Sequence, residues 1–407
     1  MSSSTTAAPE QSKPSSDAAP EPTPAEVVPP AKPIVGYWLL MSAGLVFGVV
    51  VIGGLTRLTE SGLSITEWNL IRGMRPPRSE EEWEEEFNKY KQFPEYILLN
   101  QHMTLPEFKR IFWYEWTHRM WGRAIGIAFL IPAAVFTFRK GYINSKALTK
   151  KIWAIGGLIG FQGFLGWYMV KSGLDSKIIE DKSHPRVSQY RLAAHLGSAF
   201  LIYLLMMNSG LGVLRANAFA SGRITSAVKA MLDNTRTQGV KRFATGVAHL
   251  TFLTALSGAF VAGLDAGLIY DTFPLMGGRL VPPKDEIWSD DFAGPKSVSD
   301  GTVSTWSKWR NIFENPTLVQ FNHRVLGTST FFSVVALYFY ARRAPLPPAA
   351  RIALLTTLGI ATAQASLGIT TLLTGVPVPV AAAHQAGSLT LLTSASVLAM
   401  MLKKMPK

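Results

Sequence analysis

The chain has 407 residues, 48% hydrophobic against 16% charged, with no cysteine and a formal net charge of +13. Its apolar residues gather in runs too long for a soluble domain of this size, so the sequence reads as an integral membrane protein whose first partner is the lipid bilayer. The missing cysteines exclude disulfides, iron–sulfur clusters, thiolate haem ligation and cysteine zinc sites, and the basic residues fall between apolar runs, where topology rather than nucleic-acid binding accounts for them.

Residues 1–33 are rich in Pro, Ala, Ser and Thr and hold too few large apolar side chains to fold, so a disordered tail is expected. They lack the arginines of a mitochondrial presequence; if one existed, it lies upstream or was removed. Eight apolar segments follow, at about 35–56, 119–138, 151–171, 190–212, 243–264, 323–341, 352–374 and 380–402, each near the roughly 20 residues that cross a bilayer as a helix. Lys and Arg cluster after the second, fourth and sixth segments and at the C-terminus, which puts those loops and both termini inside. The long connections, about 57–117 and 265–320, then lie outside. In the first, the acidic run Glu80 to Glu86, broken by Trp83, predicts a solvated amphipathic helix ahead of a docking surface for a basic partner.

The chain repeats itself. His118-Arg119-x-x-Gly122 returns as His323-Arg324-x-x-Gly327, Gln162-x-x-x-Gly166 as Gln364-x-x-x-Gly368, and Ala193-Ala194-His195 as Ala382-Ala383-His384. A looser echo joins Gly53-Gly54-Leu55-Thr56-Arg57 to Ala262-Gly263-Leu264-Asp265-Ala266. The simplest account is a duplicated four-helix unit: an all-α integral membrane protein of eight transmembrane helices in two pseudo-symmetric four-helix bundles. The expected divisions are the tail 1–33, an N-terminal bundle 34–212, an inner linker 213–242 and a C-terminal bundle 243–407.

With both termini inside, His118, His195, His323 and His384 fall in the first turns of helices two, four, six and eight, all towards the outer surface. A single histidine there would be an interfacial polar residue; four at matched depth in duplicated positions point to ligation, because ionisable groups inside a membrane are costly. Two histidines per unit, without carboxylate or cysteine to close a tetrahedral shell, suit haem iron better than zinc. His102, His184 and His249 read as structural or solvated. Arg119 and Arg324 have two competing roles, holding haem propionates or snorkelling to the interface. Gly54, Gly122 and Gly166, with their counterparts, are expected to allow close helix or macrocycle packing.

The halves differ at one chemical position. Glu115 stands three residues before His118, where Gln320 stands three residues before His323. If the second helix extends back one turn, the carboxylate shares a face with His118 and can move protons or stabilise a developing cation, which an amide cannot do. The N-terminal half then reads as reactive and the C-terminal half as an electron-transfer site. The competing reading pairs Glu115 with Arg119 as an interfacial ion pair.

At these residues the sequence resembles haem A synthase in its mitochondrial form. The resemblance runs from about Val35 to the end, through Gly53 to Ser64, Glu115-x-x-His118-Arg119, Ala193-Ala194-His195, Gly263-Leu264-Asp265-Ala266-Gly267 and Ala382-Ala383-His384. It implies oxidation of the C8 methyl group of haem O to the formyl group of haem A, by successive hydroxylations and loss of water. By position it implies that His323 and His384, with Arg324, bind a permanent haem b (iron), that His118 and His195, with Arg119, hold the substrate haem O, and that Glu115 is the catalytic acidic residue. It further implies a ferredoxin-type electron donor, haem O synthase and cytochrome c oxidase assembly factors as partners, and leaves a homo-oligomer open. The expected place is the mitochondrial inner membrane, with termini in the matrix and haem sites towards the intermembrane space. The outer-loop cysteine pair of some bacterial members is missing, so mechanisms that use it cannot apply. Two other classes compete: a dihaem b-type membrane electron carrier, and a haem carrier without chemistry of its own.

Overall fold

The structure is a computed structural model describing residues 28–69, 75–180, 185–293 and 308–405. Eight long helices carry the fold: α1 Pro33–Leu58, α2 Leu105–Phe138, α3 Lys146–Gly173, α4 Gln189–Ala220, α5 Thr235–Gly263, α6 Pro316–Ala341, α7 Pro348–Leu373 and α8 Val378–Met401. Among the described residues the only extended pairing is two isolated bridges. Helices α1 to α7 are long and apolar enough to cross a membrane. Helix α8 has 24 residues, yet its His384, Gln385 and repeated Ser and Thr keep it out of that set. The chain is therefore an all-α membrane protein with seven spans recognisable by length and apolarity.

Helix α2 begins at Leu105, well before the expected 119, because Thr104 and Glu107 close a capping box around Pro106. That N-terminal extension carries charge and so is invisible to hydropathy. It is held by an aromatic cluster, Phe108, Ile111 and Phe112 against Trp83, Phe87 and Tyr90 of the acidic helix Glu80–Tyr90. The predicted amphipathic helix thus exists, with its apolar face laid along α2. The histidines accordingly do not sit in first turns: His118 is thirteen residues past Leu105, and the other three are six or seven past their helix starts.

Helices α1, α2, α3 and α4 pack in a ring in which α2 and α4 face each other across the middle, and α5 to α8 pack in the same order. In hydrocarbon, helices gain little from hiding apolar surface and associate through close fit. The α1–α4 contact shows it: a Cβ on Gly36 would lie 3.0 Å from the Gly210 carbonyl oxygen, and one on Gly210 would lie 2.8 Å from that of Gly36.

The rings meet along α1 and α4 on one side and α5 and α8 on the other. Across this seam Gln385 donates to the Val50 carbonyl at 3.1 Å, its amide occupying the space where Gly54 lacks a Cβ. Tyr203 meets Thr393 at 2.7 Å. At one end of the seam Arg57 and Arg186 pair with Asp265 at 3.0 and 3.4 Å.

The repeat has a sharper register than the sequence echo suggests. Leu58 and Gly263 end α1 and α5, and Glu60 and Asp265 both take positive φ, 50° and 52°; each pair is 205 residues apart, like His118 and His323. The echo matched through Gly54 and Gly263 is displaced by four residues, about one helical turn.

The opposite end gathers the described chain ends. Lys32 and Asn144 pair with Tyr142 and Pro30 at 2.9 and 2.8 Å, Asn217 donates to Ala31 at 2.9 Å, and Arg215 reaches the Met400 and Lys403 carbonyls. The last residues of the expected tail are thus paired, whereas residues 1–27 lie outside the described residues. The connection after α4 is mostly helical, with α4 running to Ala220 and a short helix at Ser226–Asp233.

Candidate functional site

The structure brings the four sequence-predicted histidines together in two pairs. The rings of His118 and His195 have centres 6.5 Å apart, and those of His323 and His384 6.4 Å apart. With metal–imidazole bonds of about 2.0–2.1 Å, two rings on opposite sides of one metal have centres roughly 6 Å apart. Each ring rests against a glycine: a Cβ on Gly53 would lie 2.8 Å from Cε1 of His118, on Gly166 3.4 Å from that of His195, on Gly258 3.2 Å from that of His323, and on Gly368 2.7 Å from that of His384. Gly122 and Gly327, one turn beyond His118 and His323, have nothing within 4 Å of a built Cβ. They serve no helix contact and leave open space on the histidine face.

Among the described residues no three His, Asp or Glu side chains converge to hold a bare metal ion. The residues fit a planar macrocycle that brings its own equatorial ligands. His102 and His249 are exposed and away from the pairs, and His184 lies outside the described residues.

The surroundings of the imidazoles differ between the halves. In the C-terminal pair, Nδ1 of His323 lies 2.7 Å from the Ser257 hydroxyl, and Nδ1 of His384 lies 3.1 Å from the Gln364 amide nitrogen. In the N-terminal pair, Nδ1 of both His118 and His195 is buried without a hydrogen-bond partner. Gln162 and Gln364 both donate to the carbonyl of their histidine at 2.9 Å, and Gln162 accepts in addition from the Ser198 hydroxyl.

Glu115 is 2% exposed and lies on α2 one turn before His118. One carboxylate oxygen accepts from the Ser64 hydroxyl and the Ile65 N–H, both at 2.7 Å; the other accepts from Nε and Nη2 of Arg119 at 3.0 and 2.6 Å. The competing expectation of an ion pair with Arg119 is thus present in the geometry, and the carboxylate is fixed in orientation as well. Arg119 also donates to the Ile65 and Glu67 carbonyls at 2.7 and 2.8 Å. The other half copies this: Arg324 donates to the Tyr270 and Thr272 carbonyls at 3.0 and 2.8 Å and to the Gln320 amide oxygen at 3.3 Å. Both arginines tie a loop over their histidine pair.

Ser64, Trp68 and Ser257 were not legible as site residues. Trp68 lies under the Arg119 guanidinium at 4.8 Å and borders Gly166 beside His195. Ser257 stands 205 residues beyond Ile52, so the histidine register, applied to α1 and α5, would have exposed it as a second polar difference.

A further buried carboxyl lies in the connection between α1 and α2. Glu95, 5% exposed, accepts from the Tyr90 hydroxyl at 3.1 Å, and Asn100 donates to that hydroxyl at 2.7 Å. Burial, reinforced by the negative charges of Glu115 and Glu60, pushes Glu95 up to about 8 against the opposing Tyr90 hydrogen bond.

The chain is similar over most of its length to known proteins. A family model described as cytochrome oxidase assembly protein matches residues 36–396. A haem A synthase of Mus musculus is 48% identical over 377 residues, 93% of this chain and 84% of that protein. One of Saccharomyces cerevisiae is 47% identical over 377 residues, 91% of this chain and 75% of that protein. A haem A synthase–mitochondrial ferredoxin fusion protein of Schizosaccharomyces pombe is 47% identical over 383 residues, 92% of this chain and 60% of the fusion. With nearly the whole described helical region matched, the chain belongs to the COX15-CtaA family of cytochrome oxidase assembly proteins.

Proposed function

We propose that the chain is a haem A synthase, a haem-modifying membrane oxidoreductase that converts the C8 methyl group of haem O to the formyl group of haem A for cytochrome c oxidase. The observation that supports it best is the pair of bis-histidine sites at metal-bridging separation, alike in ligands and unlike at Glu115 and Gln320. The relatives' name agrees.

In this reading His118 and His195 hold the substrate haem O, and His323 and His384 hold haem b. A haem b bound there supplies one-electron redox chemistry. Arg119 and Arg324 are fixed positive charges at one edge of each site, suited to haem propionates. Gly53, Gly166, Gly258 and Gly368 let the imidazoles approach the neighbouring helices closely through Cε1, which limits their movement. Glu115, gripped by four donors, is a fixed negative charge on the face of α2 that carries His118, suited to stabilising positive charge as the substrate is oxidised.

The domain division belongs to the same proposal: a substrate bundle at 34–212 and a cofactor bundle at 243–407 joined by the inner segment 213–242, with α8 as an eighth span. The mitochondrial ferredoxin fused to the Schizosaccharomyces pombe relative supports a ferredoxin-type electron donor and a mitochondrial membrane. The reading puts both termini on the matrix side and the histidine pairs towards the intermembrane space, which the distribution of basic residues among the loops supports. Haem O synthase and cytochrome c oxidase assembly factors complete the set of partners.

Extraction of the pigments from purified protein, with chromatography and mass measurement, tests the reading. Haem b together with haem O, a hydroxylated haem or haem A is expected. Haem b alone, at two per chain, would replace the enzyme by an electron carrier.

A further inference from the structure

We propose that Ser257 is a positioning residue that makes the C-terminal pair a retaining haem site, and that its absence from the N-terminal pair leaves that site able to exchange its haem. The proposal rests on the reading above, in which the two pairs hold cofactor and substrate.

The hydroxyl of Ser257 has one proton, and it is donated to the Thr254 carbonyl one turn back at 2.7 Å. Its oxygen is therefore an acceptor towards Nδ1 of His323, 2.7 Å away. An imidazole that donates Nδ1–H keeps its lone pair on Nε2, the nitrogen a metal takes. Such a bond to the far nitrogen fixes the tautomer and the ring plane and makes the ligand more basic. Ser257 is held by its own helix, so the bond is in place before any ligand arrives.

At the matching position of α1 the chain has Ile52, which offers no acceptor side chain. The register is secure there, since Gly53 and Gly258, the next residues, each face the matching histidine. The Val49 carbonyl lies beside His118 as the Thr254 carbonyl, 205 residues on, lies beside His323. What His118 lacks is a side-chain acceptor at Nδ1 such as the Ser257 hydroxyl.

The other histidines also differ between the halves, in the side-chain partner at Nδ1. Ser198 holds the Gln162 amide oxygen, and the Gln162 nitrogen reaches the His195 carbonyl but not its Nδ1, whereas the counterpart of Ser198, Gly387, has no side chain to compete for Gln364, and a Cβ there would overlap the Gln364 amide oxygen. Gln364 reaches His384 through an amide nitrogen, which only donates, so it does not free Nε2 and the proposal does not depend on it. A substrate site must release its product and a cofactor site must not, and the outer hydrogen bond of an axial ligand is worth about 10–100-fold in retention.

The test uses full-length protein purified with its haems and mixed with excess apomyoglobin, following transfer of each haem by absorbance, with a potentiometric titration of the retained haem. Ser257→Ala should speed loss of haem b by about 10–100-fold and shift its potential. Ser257→Thr, which keeps the hydroxyl, should restore both, and Ile52→Ser should slow release from the N-terminal site. Wild-type retention and potential in Ser257→Ala would overturn the proposal, as would equal loss in the Ala and Thr variants. His323→Ala serves as the control: if it keeps haem b, the assignment of that haem to this pair falls first; if it loses haem b while Ser257→Ala does not, only the role of Ser257 falls.

Discussion

The two histidine pairs are nearly the same object built twice. Their ring separations differ by 0.1 Å, each imidazole rests on a glycine, and each pair lies beneath a loop tied down by the arginine that follows its first histidine. What differs is small and polar: a carboxylate against an amide before the first histidine, and a missing against a present hydrogen bond behind it. In the proposed reading, what the halves share is what binds a haem, and these polar differences are what separate a haem that is changed and released from one that is kept.

The largest expected break in the comparison is Glu115→Gln, which makes the N-terminal site resemble the C-terminal one. Conversion of haem O should fall by at least about 100-fold, the usual scale for removing a fixed electrostatic group, while both haems remain extractable. The fold should survive, because Gln320 beside Arg324 already shows that an amide fits this position. Chromatography of haems from cells expressing the variant measures the loss; haem A at the normal level would end the catalytic role of Glu115.

Next come the glycines. Gly53→Ala and Gly368→Ala place a methyl 2.8 and 2.7 Å from a histidine ring, whereas Gly258→Ala and Gly166→Ala leave 3.2 and 3.4 Å. Overpacking of this kind costs about 1–3 kcal/mol, so the first two should disturb haem absorbance more than the second two, one in each half. Gly54→Ala probes the seam instead: its methyl would overlap the Gln385 amide and break the bond to Val50. Thermal unfolding in detergent should show a loss of about 1–3 kcal/mol with both haem spectra kept.

The smallest effect concerns pH and belongs to the N-terminal half alone. Glu95 has a folded value near 8, above that of an unfolded carboxyl. Between these two values the folded chain binds the extra proton, so stability falls as pH rises through the interval and levels off above it. The aromatic cluster around Tyr90 should therefore loosen between about pH 5 and pH 8. Proteolysis of the loop against pH reads this, and Glu95→Gln should flatten the profile.

Much of this was readable from residues alone. The long helices announce themselves by apolar length, and the four histidines by recurring at matched places. The start of α2 does not, because its outer turns are stabilised by Trp83, Phe87 and Tyr90, a tertiary contact that hydropathy cannot register. Matching α1 to α5 by glycine identity puts their register one turn off, whereas the 205-residue histidine spacing gives it. Ser257 was hidden because its partner is 66 residues away on another helix, and Arg57 because Asp265 is 208 away. Helix interiors are written locally; what a polar side chain touches across a bundle is not.

The division of labour between the halves is tested most directly by removing one pair of ligands at a time. His118→Ala with His195→Ala, and separately His323→Ala with His384→Ala, are purified and their extracted pigments compared. The first should retain haem b and contain no haem O, intermediate or haem A; the second should lose haem b. Loss of haem b from the first variant with its retention in the second, or the same pigment loss from both, would contradict the account.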